Sequence, residues 1–146
     1  MLLDGKRGLI LGIANKRSIA WGIAQAAHRE GARLAVTYQG ERLEENVREL
    51  AQQLRDPLVL PCDVSRDEDL KALAASVREG LGGLDFVVHA VAFALREELD
   101  GQFVNTSREG YRLAQDISSY SLTALARETA PLMEGGGSIV TLSYLG

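Results

Sequence analysis

Apolar residues in this chain come in short blocks separated by longer stretches with helical periodicity. The blocks RGLILG (7–12), RLAVTY (33–38), PLVLP (57–61), LDFVVHA (84–90) and SIVTLS (138–143) are continuous rather than alternating, as expected of strands covered on both faces. Between them lie amphipathic segments at roughly 18–30, 41–54, 66–80 and 107–130. Ser18 stands where an N-cap belongs, and Gly31 where a left-handed C-cap residue belongs. SRDE (65–68) and TSRE (106–109) match the capping box, a hydroxyl followed three residues later by Glu. Positions 113, 114, 117, 121, 124 and 125 give the last helix a stripe of apolar or small residues. Parallel strands need crossovers of this length, so the pattern predicts an α/β fold. The expectation is a doubly wound parallel sheet with helices on both faces, formed by one domain spanning residues 1–146. The chain stops within three residues of the fifth strand, an abrupt place to end, and is expected to be truncated.

Composition narrows the function classes. With 46% hydrophobic and 25% charged residues, the 146-residue chain has the make-up of a soluble domain with a core of its own. A net charge of −4 and a pI near 5.2 argue against a nucleic-acid partner, because no strong basic surface is available. Cys62 is the single cysteine, so one chain forms neither a disulfide framework nor a cysteine metal site, and no metal is expected. The first residues show no long apolar h-region and no cleavage site, and no stretch approaches the ~18 apolar residues of a membrane span, so neither export nor a membrane span is expected. A cytoplasmic protein is expected.

In an open parallel sheet, ligands bind at the carboxyl ends of the strands, near the point where strand order reverses. After the first strand comes GIANKRS (12–18): Gly12 permits close backbone approach, and the amides opening the next helix can hold a pyrophosphate. Ser18 either caps that helix or bonds a phosphate oxygen. After the second strand, Gln39 can bond a ribose but repels no 2′-phosphate, and Arg42 is either solvated or directed at such a phosphate. After the third, Asp63 and the Val64 amide suit an adenine amino group and ring nitrogen, or Asp63 simply favours the start of the next helix; Ser65, placed as the cap, leaves Asp63 freer for a ligand. After the fourth, HAVAFA (89–94) offers small residues across which a cofactor can lie. His89 has no partner fixed by the sequence and is expected to be a satisfied core residue. After the fifth, Tyr144 meets a substrate or serves as a wall residue.

Taken together, GIANKRSIAWGIA, CDVS, VHAVAFA, TSREGY, DISSYS and TLSYLG resemble the enoyl-acyl-carrier-protein reductases, a branch of the short-chain dehydrogenase/reductase superfamily. The likeness runs along essentially the whole chain. It implies a Rossmann-like fold, an NADH cofactor with NADPH left open, and reduction of a trans-2-enoyl thioester on acyl carrier protein. By resemblance, Gly12, Ser18 and Ile19 contact the pyrophosphate side, Gln39 the adenine ribose, Asp63 and Val64 the adenine, and Val91 the nicotinamide half. Ala94 offers its backbone to the acyl substrate, and Tyr144 is the first of two active-site tyrosines. Relatives read Ser-Ile-Gly-Phe where this chain has Ala90-Val91-Ala92-Phe93, so Ala92 adds a methyl group where a glycine is usual. The second tyrosine and the lysine seven residues after it, which in the family stabilise the enolate and hold the ribose, fall beyond Gly146. None of Tyr38, Tyr111 or Tyr120 has a lysine four or seven residues downstream. The segment is therefore expected to carry the cofactor site and to be inactive alone, and a homotetramer is expected through the 107–130 helix. A short-chain carbonyl reductase of another branch and a non-catalytic dinucleotide-binding module are the alternatives.

Overall fold

Successive residues of a strand face opposite sides of the sheet, and in β1 (Arg7–Leu11) this sorts the core into two layers. Leu9 and Leu11 join one apolar cluster with Leu70, Leu73, Val77, Val87 and Leu125. Ile10 joins the other with Trp21, Ala24, Leu34, Val36 and Val47. The computed structural model describes residues 1–145. Five strands pair in the order β3-β2-β1-β4-β5, all parallel, with β2 at Arg33–Tyr38, β3 at Leu58–Pro61, β4 at Phe86–His89 and β5 at Ser138–Thr141. The register sets Leu9 beside Ala35 on one side and Val87 on the other.

The chain winds outward from β1 through α1 (Ile19–Arg29) and α2 (Glu41–Ala51), whose buried residues share the second layer. It then returns across the sheet through α3 (Asp67–Leu81) to β4, and α3 packs in the first layer together with α5 (Ser121–Thr129). Strand order reverses between β1 and β4, so the switch point lies at their carboxyl ends. Small residues make the close packing possible: Ala20, Ala24 and Ala27 are the buried face of α1, with Trp21 beside them. The fold class is as the pattern predicts, a Rossmann-like doubly wound sheet.

Three local expectations are corrected. Helix α3 starts at Asp67 behind Arg66, not at a Ser65 cap; the Ser65 N–H and hydroxyl bond instead to Asp63 Oδ1 at 3.0 and 2.6 Å. Three acidic residues in its first turn, Asp67, Glu68 and Asp69, favour the positive helix end without that cap. In TSRE the cap is Ser107, one residue later than Thr106: its hydroxyl accepts from the Gly110 N–H at 2.9 Å and donates to the Glu98 carboxylate. Glu109 pairs with Arg112 instead of reaching back. The single helix expected over 107–130 is α4 (Arg108–Gln115), a π-turn (Asp116–Tyr120) and α5, closed by a 3-10 turn at Ala130–Leu132. Its buried face is as expected at Ser121, Ala124 and Leu125. Gly31 follows the C-cap Glu30 with φ +96°, the left-handed conformation expected there.

Candidate functional site

Gly12 leaves β1 with φ +111°, and a Cβ there would overlap the Ala90 carbonyl. The loops after β1 and β4 therefore touch at the switch point, where the Ala90 N–H also bonds to the Leu11 carbonyl at 3.2 Å. Above this contact lies a cleft of about 480 Å³ whose lining includes Gly12, Gln39, Asp63, Val64 and Val91. Five of the residues singled out in the sequence thus converge from the ends of four strands. Ala90, Ala92 and Phe93 form part of the floor, and the Ala92 methyl group is exposed to it.

The 12–18 loop is folded around its own serine. Ser18 Oγ accepts from the Ala14 and Asn15 amides at 2.9 and 3.1 Å, and Asn15 Oδ1 accepts from the Arg17 N–H at 2.8 Å. Ser18 stands at the N-cap position as expected, but of its two expected side-chain roles the helix-capping bond is not made. Helix α4 shows the contrast, because Ser107 does spend its oxygen on a helix amide. The Trp21 and Gly22 amides bond to the Ser18 carbonyl, which leaves the Ile19 and Ala20 amides, with no side-chain cap, to receive an anion. The Ser18 oxygen already accepts twice, and its hydroxyl hydrogen is free to donate to a phosphate oxygen. Ile19, the first helical residue, is 69% exposed on the rim.

At the far side of the sheet Asp63 is half-buried and less free than the sequence implies. Its Oδ1 is taken by Ser65, and its N–H bonds to Asp69 Oδ2 at 2.9 Å, leaving Oδ2 for a ligand. The cleft continues here into a second hollow of about 560 Å³, bordered by Gln39, Gly40, Glu41, Glu44, Asp63, Arg66 and Asp69. Arg42 is not on its wall. Arg66, unremarked in the sequence, is, but four carboxylates surround it and Asp69 lies 3.8 Å from its Nε. The neighbouring Cys62 is buried; burial, then the charges of Asp69 and Asp63, push its thiol up to about 12, so it stays protonated and unreactive.

His89 is 1% exposed and fully partnered. The Ser121 hydroxyl donates to the Ile117 carbonyl at 2.6 Å, so it accepts from the His89 Nε2–H at 2.7 Å; Nδ1 then accepts from Thr141 at 2.8 Å. Burial lowers its pKa below the ordinary value, and the ring is a neutral core residue as expected. Ala94 is half-buried and outside the cleft lining, where its neighbours Phe93 and Leu95 stand. Tyr144 is 98% exposed beyond β5 and is not brought to the cleft. Gly146, the last residue of the TLSYLG motif, lies outside the described residues. Leu113 and Ile117 close the cleft from α4 and the π-turn; the sequence marks both only as part of the helix's apolar stripe, not as cleft residues.

A family model described as enoyl-(acyl carrier protein) reductase matches residues 12–146. Among curated relatives, the enoyl-(acyl-carrier-protein) reductase (NADH) FabI of Bacillus cereus is 54% identical over 147 residues, covering 99% of this chain and 57% of the relative. The same enzyme of Aquifex aeolicus is 57% identical over 146 residues, covering 99% of this chain and 54% of the relative. The crystal structure of the Bacillus cereus reductase with NADP+ and indole naphthyridinone superposes with a TM-score of 0.96 at 54% identity, over 99% of this chain and 57% of that one. The reductase of Anaplasma phagocytophilum in complex with NAD gives 0.94 at 46% identity, over 99% and 55%. The chain spans a little over half the length of these relatives. The glycine turn, the cleft at the strand reversal and these matches along nearly every residue agree: the chain belongs to the enoyl-(acyl carrier protein) reductase family.

Proposed function

We propose that this chain is the cofactor-holding part of an NADH-dependent enoyl reductase, acting on trans-2-enoyl thioesters of acyl carrier protein in fatty-acid synthesis. One observation carries the reading: Gly12, Gln39, Asp63, Val64 and Val91 border a single cleft at the strand reversal. The site suits a dinucleotide on its own geometry. The opening amides of α1 and the spare Ser18 hydrogen take the pyrophosphate, with Ile19 on the rim. Gln39 holds the adenine ribose, Asp63 Oδ2 and the Val64 amide the adenine, and Val91 supports the nicotinamide. Bound NADH supplies the hydride for the enoyl β-carbon. The chain's own residues orient the two partners: Ala92 and Phe93 form the floor, Ala94 presents its backbone to the acyl chain, and Tyr144 approaches the thioester as the acyl group enters. Without a tyrosine–lysine pair, residues 1–146 bind nucleotide and do not turn over.

The acidic hollow favours NADH over NADPH, because Glu41, Glu44 and Asp69 repel a 2′-phosphate more than Arg66 attracts it. Titration of the protein with both nucleotides tests the reading. NADH is expected to bind about tenfold tighter at low ionic strength, with the gap narrowing as salt is added. Ser18→Ala, which unfolds the loop from its centre, is expected to weaken NADH about tenfold. Binding unaffected by Ser18→Ala would rule this site out. We further propose a cytoplasmic homotetramer assembled through the outer face of α4 and α5, where Tyr111 and Tyr120 are 58% and 47% exposed.

A further inference from the structure

The helical passage between β4 and β5 changes its hydrogen-bond register where it crosses the carboxyl ends of those strands. Over Asp116–Tyr120 it is a π-helix, and at its end the Ser121 N–H reaches back five residues to the Asp116 carbonyl. Such a turn carries one residue more than an α-turn, is rare, and frequently sits at functional sites. Here it delivers two hydroxyls to one loop. Ser118 Oγ accepts from the Phe93 N–H at 3.0 Å and donates to the Phe93 carbonyl at 3.1 Å. Ser121 Oγ, whose own hydrogen goes to Ile117, accepts from the His89 ring. The stretch after β4 is thereby gripped at both ends, His89 by its imidazole and Phe93 by its peptide. Residues 90–93 between these grips belong to no helix or strand, and all four line the cleft.

We propose that the π-turn is a positioning device, with the Ser118 hydroxyl setting the height of the 90–93 backbone beneath the nicotinamide half of a bound dinucleotide. The inference rests on the cofactor reading above and adds Ser118 as a positioning residue that touches no ligand itself. The two hydrogen bonds between Ser118 and the Phe93 peptide lie in exposed surroundings, so water can satisfy those groups once the hydroxyl is gone. Removing that hydroxyl therefore leaves the fold intact and frees only the loop. The adenine end, held by residues after β2 and β3, does not depend on it.

The test compares the wild-type protein with Ser118→Ala and Ser118→Thr, each titrated with NADH and with ADP as a probe of the adenine half alone. Ser118→Ala is expected to weaken NADH about tenfold while ADP stays within about twofold, and Ser118→Thr, which keeps the hydroxyl, to restore NADH. Unchanged NADH affinity in Ser118→Ala overturns the proposal. So does a parallel loss of both nucleotides, which would mark a general structural defect. A wild-type protein that binds neither nucleotide refutes the cofactor reading itself.

Discussion

Gly12 and His89 stand one strand apart at the same sheet edge, yet each resists change for a different reason. Gly12 needs both a positive φ and an empty Cβ position against the Ala90 carbonyl. Gly12→Ala is therefore expected to cost at least about 2 kcal/mol in denaturant unfolding, because strain and overlap add. His89 is sensitive to pH. Its folded pKa lies below the ordinary 6.5 because burial disfavours the cation, so the unfolded chain binds the extra proton first. The stability linked to this ring is complete above the unfolded pKa and is lost as pH falls below it. Urea midpoints measured from about pH 7.5 down to about pH 5.5 should decline in the wild type and less steeply in His89→Gln. In the sequence, Gly12 stands out by its place after an apolar block, and His89 reads as core. Ser65 misleads there and the Ser18 side chain stays open between two roles, since a serine at a helix start has several acceptors and donors in reach and local pattern does not choose among them.

At the scale of elements, strand positions are readable because continuous apolar runs mark parallel strands, and all five blocks contain one; burial on both faces holds for the three central strands, while the edge strands β3 and β5 are half-buried and mostly exposed, respectively. Helix ends are less so. The Ser107 cap depends on Glu98, nine residues away in a short 3-10 turn, a contact outside any capping-box spacing. Ser107→Ala is expected to cost about 1 kcal/mol, seen as a lower thermal midpoint, since the Gly110 amide loses its acceptor and Glu98 keeps only the Ser107 N–H of its two donors there. The π-turn is hidden for a similar reason. DISSYS has ordinary helical composition, and the extra residue is accommodated by hydroxyl contacts to β4 and Phe93 that come from tertiary structure.

For the molecule as a whole, the alternation of blocks implies a parallel doubly wound sheet whose ligands sit at the strands' carboxyl ends, so the cofactor end is legible in the sequence, while the strand order that places the cleft between β1 and β4 comes from the structure. Tyr144 and Ala94 are not placed by this logic, because both lie past the last strand or in irregular chain. One half of the sheet leaves an apolar groove open. Beside α1, a groove of about 780 Å³ runs along Phe86, Val88 and Val140, and no helix of the described residues covers it. On the opposite layer the α4–α5 face carries Tyr111 and Tyr120. With that face as the assembly surface, Tyr120→Glu should shift the protein toward smaller species in light scattering without loss of helical signal, since Tyr120 is half exposed and, among the described residues, its hydroxyl meets only Arg127, at 3.4 Å.

The meeting of Gly12 with Ala90 also governs timing. These positions are far apart along the chain, and the ring they close contains β2, β3, β4 and three helices. Closing so large a ring is a late and slow event in folding, because its entropy must be spent before the contact repays it. A nascent polypeptide emerging from the ribosome would hold its glycine turn early and yet have no floor beneath it until the fourth strand arrives. Nucleotide capture would then mark the moment when the two windings of the sheet have joined.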